Sequence, residues 1–136
     1  MKLWIGSALL VAAGLLLASC MSAPAPMMEE VVYKGYILDR ACAKAGTGMD
    51  GSAVLTMPGD HTQQCLVACE ASGFGIMVME KSGYRYIPFD AAGSDLAFRT
   101  VVLKTAKTAD ISVEAKGTMK DGLLVLSGIR EIDLMM

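Results

Sequence analysis

The sequence has a single histidine, His61, and only 6% of its 136 residues are aromatic. It has no excess of positive charge, since 12 lysines and arginines stand against 14 aspartates and glutamates, a formal net of -2 at pH 7. Nucleic acid calls for a basic face, so no nucleic-acid partner is expected. Motifs that name a reaction are missing too. No Cys-x-x-Cys opens a helix, as a thioredoxin-type redox pair requires. No Cys-x-x-Cys-His offers a c-type haem attachment, and no His-x-Glu with Pro-Cys-x-x-Cys offers a deaminase centre. Ser72-Gly73-Phe74-Gly75 lacks the spacing of a nucleophile elbow. The loop Gly46-Thr47-Gly48-Met49-Asp50-Gly51-Ser52 lacks the lysine of a phosphate loop. The sequence therefore nominates no catalytic residue, and no enzyme is expected.

The one long apolar run is Leu3 to Ala18, behind the short basic start Met1-Lys2. It is short for a membrane span, and no lysine or arginine cluster follows to stop transfer, so it reads as an export signal. Its end, Leu17-Ala18-Ser19-Cys20, resembles the lipobox of bacterial lipoproteins. That resemblance implies that residues 1–19 are removed, that Cys20 is acylated, and that the mature chain is held to membrane lipid. Each buried CH2 contributes about 0.8 kcal/mol, so two or three acyl chains make attachment effectively permanent. In lipoproteins of double-membraned bacteria an aspartate after the cysteine retains the protein at the inner membrane. Met21 at that place implies the periplasmic face of the outer membrane. Residues 20–30, with Ser22, Pro24 and Pro26, show no periodicity. They read as a tether reaching roughly 30 Å from the lipid.

Residues 31–136 form the expected domain. Val31 to Leu38 is rich in β-branched and aromatic residues and reads as a first strand. Gly46 to Asp60 is loop chemistry, and Asp60 would cap a helix running from His61 past Cys69 to Gly73. Phe74 to Glu80 and Tyr84 to Phe89 read as strands around a Ser82-Gly83 turn, with Pro88 at an end or edge. Ser94 or Asp95 would cap a second helix through Leu103. Alternation over Ile111 to Met119 makes a fourth strand, and the Asp121-Gly122 hairpin turn leads into a fifth, Leu123 to Ile132.

This order is mostly β with helices, an α+β class, and resembles the OB-fold. The resemblance implies a five-stranded barrel with a helix between strands three and four, here with a Cys/His helical insertion between strands one and two. Gly35-x-Ile37-x-Asp39-x-x-Cys42 followed by Cys65-x-x-x-Cys69 also resembles small secreted bacterial domains, a likeness that carries no activity with it.

Three cysteines remain after Cys20. Cys65 and Cys69 on one intact helix cannot bridge each other, because Cβ atoms at that spacing stand about 5 to 6 Å apart and a disulfide needs about 3.5 to 4.5 Å. A bridge would join Cys42 to Cys65 or Cys69, closing a loop of about 25 residues for about 3 kcal/mol. Alternatively, Cys42, His61, Cys65 and Cys69 make a Cys3His set with the donor number and softness for Zn(II) or Cu(I). Met49 and Met57 offer further thioether donors to copper. Two function classes stand open. One is a binding or structural module of the envelope, stapled by a disulfide and meeting a protein, glycan or small molecule. The other is a metal-binding or thiol-redox lipoprotein.

Overall fold

The computed structural model describes Pro24 and residues 27–134, so the export signal, Cys20 and most of the tether lie outside the described residues. Five antiparallel strands, β1 (Glu30–Asp39), β2 (Phe74–Glu80), β3 (Gly83–Pro88), β4 (Ser112–Lys120) and β5 (Leu123–Ile132), lie side by side in the order β3-β2-β1-β4-β5. Three short helices accompany them: α1 (Arg40–Ala45), α2 (Gln63–Ala68) and α3 (Ala91–Ala97). Among the described residues, no helix is long and apolar enough to cross a membrane.

The expected barrel is not formed, because the sheet is open. Among the described residues one isolated bridge links the two edges, Phe89, just past the end of β3, with Leu124 of β5. Pro88 ends β3 without an N–H to offer, and the chain then leaves the sheet as Asp90 caps α3. The sheet is covered by helix instead of closing on itself. Ala97, Val101 and Val102, from α3 and the π-turn Phe98–Val102 after it, pack with Leu66 of α2 against Ile37, Ile76, Val113 and Leu124.

The helix positions also differ from expectation. Asp90, not Ser94 or Asp95, caps α3, accepting from the Gly93 N–H at 3.1 Å. Ser94 instead accepts from the Phe74 N–H, and Asp95 pairs with Arg99. The Cys/His helix is shorter than its spacing suggested. Thr62 caps it, it ends at Ala68, and a 3-10 turn Glu70–Ser72 follows. The β2–β3 turn is Lys81-Ser82, since Glu80 pairs with Gly83.

The end of β1 is buried on both faces. Ile37 faces the main core, while Tyr36 and Leu38 face a second cluster with Met77, Cys42 and Val54. The segment between β1 and β2 supplies that second cover. Here the chain passes from sheet into α1, and Asp39 stands at the junction.

Candidate functional site

Asp39 is fully buried, and both of its oxygens are engaged. Oδ1 accepts from the Cys42 N–H at 2.8 Å and caps α1. Oδ2 pairs with His61 Nε2 at 2.7 Å, and since a carboxylate only accepts, the proton of that bond sits on Nε2. Burial by itself pushes the Asp39 carboxyl upward, but the hydrogen bonds from His61 and Cys42 outweigh it and hold it below its ordinary value.

His61 is brought there by the turn before the helix, not by the helix. A 3-10 turn Pro58–Asp60 ends at His61, whose backbone is extended (φ -69, ψ 126). Its ring therefore does not share a helical face with Cys65 and Cys69, as the four-residue repeat suggested. The ring is 2% exposed, and its other nitrogen, Nδ1, has no hydrogen-bond partner. Gly48 lies against that nitrogen. A Cβ there would come within 3.3 Å of Nδ1 and within 2.6 to 2.8 Å of Ser52 Oγ and Asp50 Oδ1, so only glycine lets the loop close over the ring.

Cys42 sits on α1 at 4% exposure, its thiol pushed up to about 12 by burial and then by the Asp39 carboxylate. Cys69 caps the end of α2 and is half-buried against Cys42. Burial raises its thiol as well, then the Asp39 charge, with a hydrogen bond to Cys42 acting the other way. On the outside, the Cys69 thiol donates to Met49 Sδ at 3.9 Å.

Donor atoms of Asp39, Cys42 and His61 all lie within 4.8 Å of one another. Of the sequence-derived set, the structure thus joins Cys42 with His61 and leaves two outside the three-donor group, Cys69 packed against the cluster that holds Cys42 and Cys65 buried on α2. Asp39 is the donor that donor-counting over Cys and His overlooked. Its signal was present in Gly35-x-Ile37-x-Asp39-x-x-Cys42, where an aspartate three residues before a cysteine spells a helix cap.

An open cleft of about 470 Å³ lies elsewhere, lined by Arg40, Ser72, Phe74, Phe89, Ser94 and Phe98 among others. None of the four donors lines it, and the Arg40 guanidinium there already donates to the Phe89 carbonyl at 3.0 Å.

Chemically, the three-donor group offers one thiol, one imidazole and one carboxylate, and the Cys69 thiol packed on the cluster that holds Cys42 is the nearby candidate for a fourth donor. That mixture has the donor number of a tetrahedral transition-metal site. No protein-family model, curated protein or solved structure matches the chain.

Proposed function

We propose that the chain is a lipid-anchored bacterial envelope protein whose domain binds a transition-metal ion, zinc or copper, through Cys42, Cys69, His61 and Asp39. The observation that carries this reading is the convergence of three buried donors with an unpartnered imidazole nitrogen beside them. Buried polar groups are costly unless paired, and a small apolar core would be more stable without them. An ion would repay that cost by bonding to the sulfurs, the Asp39 carboxylate and one ring nitrogen of His61, Nε2, on the side that faces Asp39. Binding displaces the thiol protons and the Nε2 proton that His61 donates to Asp39, so affinity falls with acidity. Acylated Cys20 provides the attachment to lipid, and Met21 favours the periplasmic face of the outer membrane.

A second reading has its own support. Cys69 packs on Cys42, so the two thiols can pass two electrons and two protons to an envelope oxidant and become a disulfide. The domain would then be a stapled binding module. Intact mass separates the two. A native adduct of about 60 Da that is lost on denaturation means metal. A deficit of about 2 Da without adduct means a bridge and overturns the metal reading. In His61→Ala the metal reading expects lower occupancy, and unchanged stoichiometry removes His61 from the site.

A further inference from the structure

Resting on the metal-binding reading, we infer that the ion is Cu(I) and that Met49 is the surface donor through which it reaches Cys69 and the buried centre. Sulfur donors descend in order from the surface. Met49 is 70% exposed, Cys69 is half-buried within 3.9 Å of the Met49 sulfur, and Cys42 behind it is 4% exposed. A thioether is a weak hydrogen-bond acceptor, so the Cys69 contact gives Met49 little reason to stand at this spot. As a ligand it is soft, and thiolate with thioether selects Cu(I) over harder ions.

The loop that presents Met49 is also the loop that seals His61. It is closed by Gly48 N–H to Ser52 O at 2.9 Å and Gly51 N–H to Gly48 O at 3.0 Å, with Gly51 in the left-handed region (φ 84). Asp50 Oδ1 accepts from the Ser52 N–H and hydroxyl, stiffening the same turn. The two residues side by side in this turn thus face different parts of one site, Gly48 against the imidazole and Met49 against the outer thiol. An entering ion would exchange water for Met49 sulfur, then bind Cys69 and Cys42 sulfur as each thiol releases its proton to solvent, then His61 Nε2 as that nitrogen loses its proton and Nδ1 takes one up. Copper stays Cu(I) throughout, and no electron is transferred.

The test uses the full lipidated chain in detergent, reduced and kept free of oxygen. Cu(I) is presented from a bathocuproine disulfonate buffer, and Zn(II) from a chromogenic chelator. Wild type, Met49→Leu and His61→Ala are compared. Leucine keeps the size of an exposed side chain, so folding is not at risk. One Cu(I) per chain, with Met49→Leu losing about tenfold or more in Cu(I) affinity or loading rate and nothing in Zn(II) affinity, is the expected result. Cu(I) binding that Met49→Leu leaves unchanged overturns the role of Met49, while its weakening by His61→Ala keeps the metal site. Binding of Zn(II) alone overturns the copper assignment and leaves the metal reading standing. Binding of neither ion overturns both.

Discussion

Asp39 does two things with two oxygens, and they can be taken apart. Oδ1 starts α1, and Oδ2 orients the imidazole. Asp39→Ala removes both hydrogen bonds, leaving the Cys42 N–H uncapped and His61 buried with no hydrogen bond, an expected loss of about 2 to 4 kcal/mol in urea unfolding. Asp39→Asn keeps a cap oxygen and loses less. A double-mutant cycle with His61→Leu is expected to return a coupling of about 1 to 3 kcal/mol, and a coupling near zero would mean that the pair is not formed in solution. Gly35 makes a second residue-scale prediction. A Cβ at this position of β1 would overlap the Met77 carbonyl of β2, backbone that cannot rotate away. Gly35→Ala is expected to cost about 1 to 3 kcal/mol by overpacking, read as a lower urea midpoint. The pattern Gly35-x-Ile37-x-Asp39-x-x-Cys42 thus has a physical content: close strand approach, core side chain, helix cap, buried thiol. The spacing was legible in sequence. The partner of Asp39, twenty-two residues on, was not, because nothing local marks it.

At the scale of elements, caps and charge pairs decide how firmly the short helices and the sheet surface hold. Thr62 Oγ1 accepts from the Cys65 N–H at 3.2 Å, and α2 has only six residues to lose. Thr62→Ala is expected to cost about 1 kcal/mol and to expose Cys65 to thiol reagents faster. Unchanged labelling would mean that packing alone holds α2. On the open face, Glu114 of β4 bridges to Arg130 of β5 and Lys34 of β1. The Arg130 hydrogen bond holds its carboxyl below the ordinary 4.5. Because the folded value is the lower one, the stabilisation is whole above about pH 4.5 and fades as pH falls through the folded value. Glu114→Gln should therefore lower the unfolding midpoint slightly at pH 7 in low salt. The difference should close in acid or high salt. A gap that persists at pH 3 would be packing and not charge. Strand positions were readable from alternation and turns; Asp121 (φ 51) and Gly122 (φ 77) adopt the hairpin turn their types favour. Helix ends were less readable, because Asp60, Thr62, Asp90, Ser94 and Asp95 are all capping types and only packing chose between them.

For the whole molecule, the proposed lipid anchor predicts that Cys20→Ser moves the exported chain from the membrane fraction to the soluble one. Retention on the membrane would remove the anchor reading. Composition and order carry a great deal without any fold: the balance of 12 basic against 14 acidic residues, the turn residues, and the alternation that spells five strands. These depend on local chemistry and on periodicity, which a chain carries in one dimension. Whether those strands close into a barrel was decided in three dimensions. Ala97, Val101 and Val102 cover the main core, and among the described residues β3 and β5 form no ladder, Phe89 beyond β3 making a single bridge to Leu124, so the sheet stays open. The site was decided there too. Counting donors along the chain gave Cys42, His61, Cys65 and Cys69, and packing puts Asp39 beside two of these, His61 and Cys42. Sequence lists which donors exist; only packing brings residues 39, 42 and 61 to one place, because their separations are set by how the segment between β1 and β2 folds over the end of β1.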